Sequence, residues 1–222
     1  MKDLTLIIPA KNESESLPTV LESLKDFDCK IIVSLQEDDY KTINSIKNYN
    51  VKIVEQKKRG YGNALIDGIN SCDSKFFCIF NADGSFDEND LSKMYDLNLN
   101  NDFVFTSRYQ KNGGSDDDTV ITYIGNQIFS ALGRVLYSLK IDDILYTFLM
   151  GKTESFKKLD IKQNDFRFCV ELPIKMKKMD MLYTSIPSYE KSRIAGVKKV
   201  NAFKDGFLIL KEMLLLFFNN KV

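Results

Sequence analysis

Residues 4–9 read LTLIIP, a short unbroken apolar run that is rich in β-branched residues and ends at a proline. Such a run is typical of a strand buried on both faces of a parallel sheet. A helical pattern follows over 14–25, and the alternation recurs, with strands predicted over 30–35, 51–55 and 75–80 and helices over 40–49 and 61–71. The pattern predicts an α/β protein with a mostly parallel sheet.

The second half of the chain continues with a strand predicted over 102–107 and a polar loop over 110–118. That loop contains two adjacent glycines and three consecutive aspartates, so we expect it to be mobile. Apolar residues recur at three- and four-residue spacing over 119–139, which predicts a long amphipathic helix. A helix over 168–178, a strand over 181–186 and a final helix over 200–218 follow without a linker. We therefore predict a single domain over 1–222.

Composition excludes several classes of protein. The 31 Lys and Arg residues balance 31 Asp and Glu residues, so no net charge would attract nucleic acid. The absence of histidine excludes Ser-His-Asp catalysis and histidine-ligated zinc. Four cysteines without CxxC spacing lie in apolar stretches, which favours reduced core thiols.

The N-terminal residues lack the pattern of an export signal, so we expect a cytoplasmic protein.

Polar side chains follow the predicted strands at their carboxyl ends, where open parallel sheets bind ligands. Residues 57–63 place three positive charges and two glycines just before a predicted helix. Backbone N–H groups and the helix dipole favour an anion there, and phosphate is the natural occupant. A solvated turn that only starts the helix is an equally good interpretation of this segment taken alone.

Asn81 and Asp83 lie on the same side of the strand end that follows residue 80. Hard oxygen ligands in this arrangement would hold one Mg²⁺ or Mn²⁺ against a diphosphate, with Asp83 as the direct ligand. The alternative interpretation is an Asx turn that only closes the strand.

Six segments carry a resemblance to a known family: LTLIIPAKNESESLP from Leu4, KRGYGNAL from Lys58, CIFNADGSFDENDL from Cys78, TSRY from Thr106, FRFCVELPIKMKKMDM from Phe166 and IPSYEKSRIAGVKKV from Ile186. In this order and spacing they resemble glycosyltransferase family 2 of the GT-A fold. The similarity covers most of the chain. Within the family it is nearest the branch that transfers hexoses to polyprenyl phosphates such as dolichol phosphate.

The resemblance implies a Rossmann-like GT-A sheet with helices on both faces. It implies a nucleotide-sugar-binding half over 1–107 and an acceptor-side half over 108–222 that ends in a helix. It places residues 81–83 in the DXD-like position of a metal site, with Ser85 assisting the metal. The segment 193–199 matches an Arg-x-x-Gly-x-x-Lys element that is expected to cover the diphosphate or the acceptor phosphate, and Glu171 matches an acidic FxxEL position.

The candidate catalytic residues are therefore Asp83, Glu171 and Arg193, and the candidate metal ligands are Asp83 and Ser85, for Mg²⁺ or Mn²⁺. From the strand ends and the resemblance together, the candidate substrate ligands are Pro9, Lys11, Glu13, Gln36, Arg59, Gly60, Asn63, Asn81, Ala82, Arg108 and Lys199.

Three positions depart from the family pattern. The turn after the second strand reads Gln36-Glu37-Asp38 instead of the usual acidic turn that contacts the base. Asn81 replaces the first acidic residue of the DXD-like triplet, which predicts looser metal binding. Tyr123 and Ile124 stand where polyprenyl-phosphate enzymes carry a further basic residue.

The leading hypothesis is an inverting transfer of a hexose from a UDP- or GDP-linked sugar. A polyprenyl phosphate acceptor is already ionised and needs no general base. A glycan hydroxyl would need one, and Glu171 is the first candidate. The alternatives are a catalytically inactive GT-A scaffold of a polysaccharide assembly complex and a sugar nucleotidyltransferase, although the loop after the first strand lacks the glycines of the latter.

The final helix carries leucines and phenylalanines almost all the way round, from Leu208 to Phe218. It is too short to span a bilayer, so we expect peripheral contact with the inner face of the cytoplasmic membrane, together with the helix over 119–139. A helix buried between halves of the fold or at a dimer interface is the alternative.

Overall fold

The computed structural model describes residues 1–196 and 198–219. Its strands are β1 (Leu4–Pro9), β2 (Lys30–Leu35), β3 (Lys52–Glu55), β4 (Phe76–Ile79), β5 (Phe103–Ser107), β6 (Gly114–Ser115), β7 (Leu149–Lys152), β8 (Tyr183–Pro187) and β9 (Tyr189–Glu190). Its helices are α1 (Leu17–Ser23), α2 (Tyr40–Ser45), α3 (Tyr61–Asn70), α4 (Asp90–Asn98), α5 (Val120–Tyr137), α6 (Thr153–Lys158), α7 (Phe168–Lys178) and α8 (Ala202–Phe218).

Seven strands form one sheet in the order β3-β2-β1-β4-β7-β5-β8. Neighbours are parallel except at β7, which runs antiparallel to both β4 and β5. In β1, Thr5 lies opposite Lys30 of β2 on one side and Phe77 of β4 on the other. The predicted α/β fold with a mostly parallel sheet is confirmed.

The alternation of side chains along β1 explains its unbroken apolar sequence. Leu6 and Ile8 pack with α1 and α4 in one buried cluster, whereas Ile7 packs with α3, α7 and α8 in the other. All three side chains are fully buried. Helices therefore cover both faces of the sheet, and Thr5, the polar side chain of β1, is buried with its hydroxyl hydrogen-bonded to Ser74 at 2.8 Å.

The sequence patterns missed β6, β7, β9, α4 and α6. Strand β7 reads LMGK, and only its place between β4 and β5 makes it a central strand. A Cβ at Gly151 would lie 2.7 Å from the ring of Phe103 and 2.9 Å from that of Phe77, so close packing requires glycine here. Helix α4 is mostly polar and buries only Leu91, Met94 and Asn98, which leaves a weak helical signal.

The segment Gly113–Asp118, called the acidic loop below, was expected to be mobile but is held in place. Its strand β6 pairs in parallel with β9. The backbone N–H of Asp116 donates to the carbonyl of Glu190 at 2.9 Å, and Tyr189 donates its hydroxyl to the Asp116 carboxylate. Hydrogen bonds to residues that are distant in sequence therefore hold a loop that its composition alone predicts to be mobile.

Helices α5 and α8 lie side by side. The ring of Phe129 packs against Gly206, and Tyr137 donates a hydrogen bond to the carbonyl of Met213. Both helices leave apolar side chains in solvent, with Phe203 84% and Phe207 68% exposed at the start of α8. Among the described helices, none has the length and apolar character needed to cross a membrane.

Arg108, at the end of β5, connects four parts of the chain. Its guanidinium donates two hydrogen bonds to Asp143, at 2.7 and 3.0 Å, and one to Glu190 of β9 at 3.0 Å. Asp118 of the acidic loop lies 3.8 Å away. Burial would lower the pKa of Arg108, but Asp143 and Glu190 hold it well above its ordinary value. The charged group thereby fixes the acidic loop and β9 to the sheet.

We expect Asp143→Asn to lower the free energy of unfolding by on the order of 3 kcal/mol, because the buried Arg108 charge loses its fully buried partner. Urea unfolding measures the change. The matched control is Asp142→Asn at the neighbouring half-exposed carboxylate, which should shift stability by less than about 0.5 kcal/mol. Equal effects of the two substitutions would show that the Arg108 network does not carry the fold.

Candidate functional site

The turn after β4 holds the predicted metal ligand in a defined position. Oδ1 of Asp83 accepts hydrogen bonds from the backbone N–H of Ser85 at 3.0 Å and from its hydroxyl at 2.7 Å. The amide of Asn81 donates to the Ser85 hydroxyl at 3.2 Å. Gly84 has φ +79°, a conformation that favours glycine. The turn therefore presents Oδ2 of Asp83 outward.

A segment that we call the strap, residues 188–196 with Lys198 and Lys199, lies across this turn. The backbone N–H of Lys191 donates to the carbonyl of Ser85, and that of Ile194 donates to the carbonyl of Asp83, both at 2.8 Å. A Cβ at Gly84 would lie 2.5 Å from the Ile194 side chain. Two residues more than 100 positions apart in sequence are thus in direct contact.

Arg193 joins the turn to the acidic loop. One guanidinium nitrogen lies 3.6 Å from Oδ2 of Asp83, and the other donates to Asp117 at 2.8 Å. Lys198 lies 3.2 Å from the same Asp117 carboxylate. Burial alone would raise the pKa of Asp117, but the hydrogen bonds and charges of Arg193 and Lys198 hold it below its ordinary value. The sequence reasoning missed Asp117, although an acidic run facing a basic motif could have indicated the pairing.

The loop after β1 brings Glu13 to the strap. Glu13 is buried, accepts a hydrogen bond from Ser16 at 2.9 Å and forms an ion pair with Lys199. Gly196 has φ +84°, and a Cβ there would lie 3.5 Å from the Glu13 carboxylate. The structure therefore brings the predicted ligands Glu13 and Lys199 together, while Lys11 of the same loop is exposed.

Asp39 fixes this loop from the neighbouring strand and is a second residue that sequence reasoning missed. Its carboxylate accepts from the backbone N–H of Asn12 at 2.7 Å and caps α2 through Thr42 at 3.3 Å. Asn12 has φ +54°, so the carboxylate compensates an unfavourable backbone conformation. The turn after β2 therefore contains an acidic residue, Asp39, whose carboxylate holds the loop after β1 in place.

The anion site expected at the N-terminus of α3 is filled by protein. The backbone N–H of Asn63 donates to the carbonyl of Asn164 at 2.9 Å, and a Cβ at Gly60 would lie 2.1 Å from that oxygen. Arg59 is exposed and pairs with Asp38 at 2.9 Å. Gln36 bonds Gln56 at 2.9 Å, which in turn bonds the Gly60 carbonyl. In this arrangement Gly60 and Asn63 contact the segment around Asn164, and their binding of a phosphate stays a prediction.

Glu171 is also engaged by the protein itself. Its carboxylate is 2% exposed and accepts from the backbone N–H groups of Lys162 and Gln163 at 2.8–3.0 Å, with Lys175 at 2.8 Å. Both carboxylate oxygens therefore have partners within the protein, and a catalytic role for Glu171 stays a prediction. Because residues 163–165 contact the start of α3, Glu171 holds the segment against which that helix packs.

Arg108, predicted as a substrate ligand, is committed to the buried network with Asp143 and Glu190. Pro9 ends β1 beside Ser34, and Ala82 is buried within the turn that presents Asp83. Two groups of predicted residues are therefore in contact along the strap: Asn81, Asp83 and Ser85 with Arg193, and Glu13 with Lys199.

The parallel sheet, with its carboxylate turn and a basic strap at the strand ends, defines an α/β protein of the Rossmann-like GT-A class. The chain belongs to glycosyl transferase family 2, whose sequence profile matches residues 5–160. Uncharacterized glycosyltransferases of Mycobacterium bovis and Mycobacterium tuberculosis are 24% identical to it over 208 residues, which is 93% of this chain and 93% of theirs.

Two solved structures share the fold. Glucosyl-3-phosphoglycerate synthase of Mycobacterium tuberculosis, in complex with Mn²⁺, UDP-glucose and phosphoglyceric acid, superimposes with a TM-score of 0.72 at 13% identity. The match covers 96% of this chain and 79% of that one. Mannosyl-3-phosphoglycerate synthase of Rubrobacter xylanophilus gives a TM-score of 0.73 at 11% identity, covering 96% and 72%.

We expect Glu171→Gln to destabilise the protein by about 1–3 kcal/mol, because an amide cannot accept from both backbone N–H groups and pair with Lys175. Turnover per folded molecule should stay within about threefold of wild type, since a general base typically contributes at least 100-fold. The control is Glu154→Gln at an exposed site. A 100-fold loss of turnover in folded Glu171→Gln protein would restore Glu171 as the base.

Proposed function

We propose that this chain transfers a hexose from a nucleotide-diphosphate sugar to polyprenyl phosphate, with inversion, at the site formed by Asp83 and the strap. The observation that carries the proposal is the position of Arg193 between Asp83 and Asp117, with Lys198 on the same Asp117 carboxylate and Lys199 of the same strap on Glu13. Cations gathered at a strand-end carboxylate suit a leaving diphosphate, whose negative charge grows in the transition state. Membership of a glycosyltransferase family favours this reaction over nucleotidyl transfer.

The protein groups at this turn can hold Mg²⁺ or Mn²⁺ only if the diphosphate of the sugar nucleotide supplies further oxygen ligands. Within the described residues no three carboxylate or thiol groups gather around a point. Ser85 occupies Oδ1 of Asp83, and Oδ2 faces Arg193 at 3.6 Å, beyond hydrogen-bond distance, so Oδ2 is the oxygen that would hold the ion. A single carboxylate plus substrate phosphates is an accepted arrangement for Mg²⁺. Asp83 would hold the ion, assisted by the Ser85 hydroxyl, and the ion would supply Lewis-acid stabilisation of the leaving group. The Mn²⁺ and UDP-glucose bound by the mycobacterial synthase support UDP-sugars and Mn²⁺ as the first combination to test.

A phosphate acceptor suits the groups that are present. Glu171 is occupied, Asp117 is paired with two cations, and the chain contains no histidine. A phosphate is ionised at neutral pH and needs no base to attack. Arg193 and Lys199 provide fixed positive charge for it or for the leaving diphosphate.

The acceptor would be reached at a membrane surface. Phe203 and Phe207 project from the first turns of α8, directly after Lys198 and Lys199 of the strap. Apolar side chains next to basic ones are the composition of a segment that lies in an anionic headgroup layer. We infer that an anionic bilayer covers this end of α8 at the inner face of the cytoplasmic membrane.

We expect transfer of the hexose from a UDP- or GDP-sugar to polyprenyl phosphate in vesicles with Mn²⁺, and Asp83→Asn should lower it at least about 100-fold through lost charge stabilisation. Radiolabelled sugar in the lipid phase measures the product. Asp96→Asn on α4 serves as the control, since its side chain lies on a helix away from the strand ends. Transfer to 3-phosphoglycerate but not to the lipid would refute the acceptor, and no nucleotide release from any donor would support an inactive scaffold.

We expect the wild-type chain to float with phosphatidylglycerol-containing vesicles, whereas Phe203→Ser combined with Phe207→Ser should sediment as free protein. Both side chains are more than two-thirds exposed, so the substitutions should leave the fold intact, as circular dichroism can verify. Leu99→Ser, at an exposed leucine that caps α4, is the matched control and should float like wild type. Flotation of the double variant would refute the membrane contact of α8.

A further inference from the structure

Two cations of the strap already hold an anion that belongs to the protein. The guanidinium of Arg193 donates a hydrogen bond to Oδ2 of Asp117 at 2.8 Å, and the ammonium of Lys198 lies 3.2 Å from the same oxygen. Lys198 also donates to the backbone carbonyl of Asp117 at 3.3 Å. A guanidinium and an ammonium that converge on one anionic oxygen are suited to bind a phosphate. The Asp117 carboxylate therefore occupies the two cations that a phosphate oxygen would need.

The acidic loop holds this carboxylate in a fixed position. The backbone N–H groups of Asp117 and Asp118 both donate to the Ser115 hydroxyl at 3.1 Å. The same hydroxyl donates to Glu190 at 2.6 Å, and Glu190 accepts from the buried Arg108. A carboxylate on an ordered loop is present at its partners at a high effective concentration. An anion from solution must therefore displace Asp117 before it can bind to these two cations.

Partial burial strengthens the contact between Asp117 and the strap. The side chains of Arg193 and Asp117 are each 23% exposed, so water and salt screen this pair less than they screen a pair on an open surface. The neighbouring Asp116 differs, because it is exposed and its carboxylate accepts from the uncharged hydroxyl of Tyr189. Two adjacent aspartates thus both contact the strap, and Asp117 is the one that contacts its cations.

We propose that Asp117 competes with the diphosphate of the donor for Arg193 and Lys198, and that it thereby determines which anions the strap accepts. An anion binds here only when its interaction with the two cations exceeds that of the carboxylate it displaces. A nucleoside diphosphate has more charge and more acceptor oxygens than inorganic phosphate, so it displaces Asp117 where a single phosphate does not. The inference rests on the proposed function, because it adds a specificity-determining residue to the same site.

The test is calorimetric titration of the full chain with UDP and with GDP in the presence of Mn²⁺. Asp117→Asn keeps the size of the side chain but removes the competing charge, so it should lower the Kd of the bound nucleotide about tenfold. It should also allow inorganic phosphate to bind in metal-free buffer, which the wild type should not. Asp116→Asn is the matched control, since it removes the same charge from the same loop, and it should change the Kd no more than about twofold. Asp117→Glu keeps the charge and should bind like wild type.

The sign of the change in affinity decides between competition and a purely structural role. If Asp117 only holds the strap in place, Asp117→Asn should bind the nucleotide as weakly as wild type or more weakly, and the proposal is then wrong. Equal tightening in Asp116→Asn would indicate a general effect of charge, and tightening in Asp117→Glu would show that the carboxylate charge is not the competitor. If the wild type binds UDP or GDP and Asp117→Asn binds it no more tightly, only the competition fails. If none of the four proteins binds either nucleotide, the donor site of the proposed function fails together with the competition.

Discussion

The fully buried pairing of Arg108 with Asp143 is the interaction on which the candidate site depends. A guanidinium at the end of β5 can remain charged in the interior only if carboxylates surround it, and those carboxylates come from β9, the acidic loop and the segment before β7. The ion pairs that compensate the charge of Arg108 therefore fix three segments that are distant from it in sequence. The strap, which contains β9, and the acidic loop that faces it are held in position by this network.

Glu171 performs a similar task on the other side of the sheet. By accepting backbone N–H groups of Lys162 and Gln163, it shapes the segment that fills the N-terminus of α3. Arg108, Glu171, Gly60 and Asn63 all belong to motifs that resemble ligand-binding elements, yet each is engaged by protein. The motif residues at strand ends thus include several whose side chains or backbone hold loops in place in this structure.

The strap brings three positively charged side chains to the carboxylates at the strand ends. Arg193, Lys198 and Lys199 lie close to Asp83, Asp117 and Glu13, so each cation already has an acidic neighbour within the protein. Positive groups held in this way are preorganised for an anion at little cost in side-chain entropy. The same GT-A fold is retained in synthases that share only 11–13% identity with this chain, so the fold tolerates replacement of most individual residues as long as the core stays packed.

The sequence by itself determined the α/β class, most strand positions and the family, and its motifs singled out both Asp83 and Arg193, which the structure places 3.6 Å apart. These features are recorded in local periodicity and in motifs that occur at strand ends. Only the tertiary structure decided that β7 is a central strand, that the acidic loop is ordered, and that Asp117 pairs with Arg193. Each of these depends on partners more than 40 residues away. The polar composition of the acidic loop predicts only that it is exposed. Hydrogen bonds and charge pairs with distant residues determine where the loop lies.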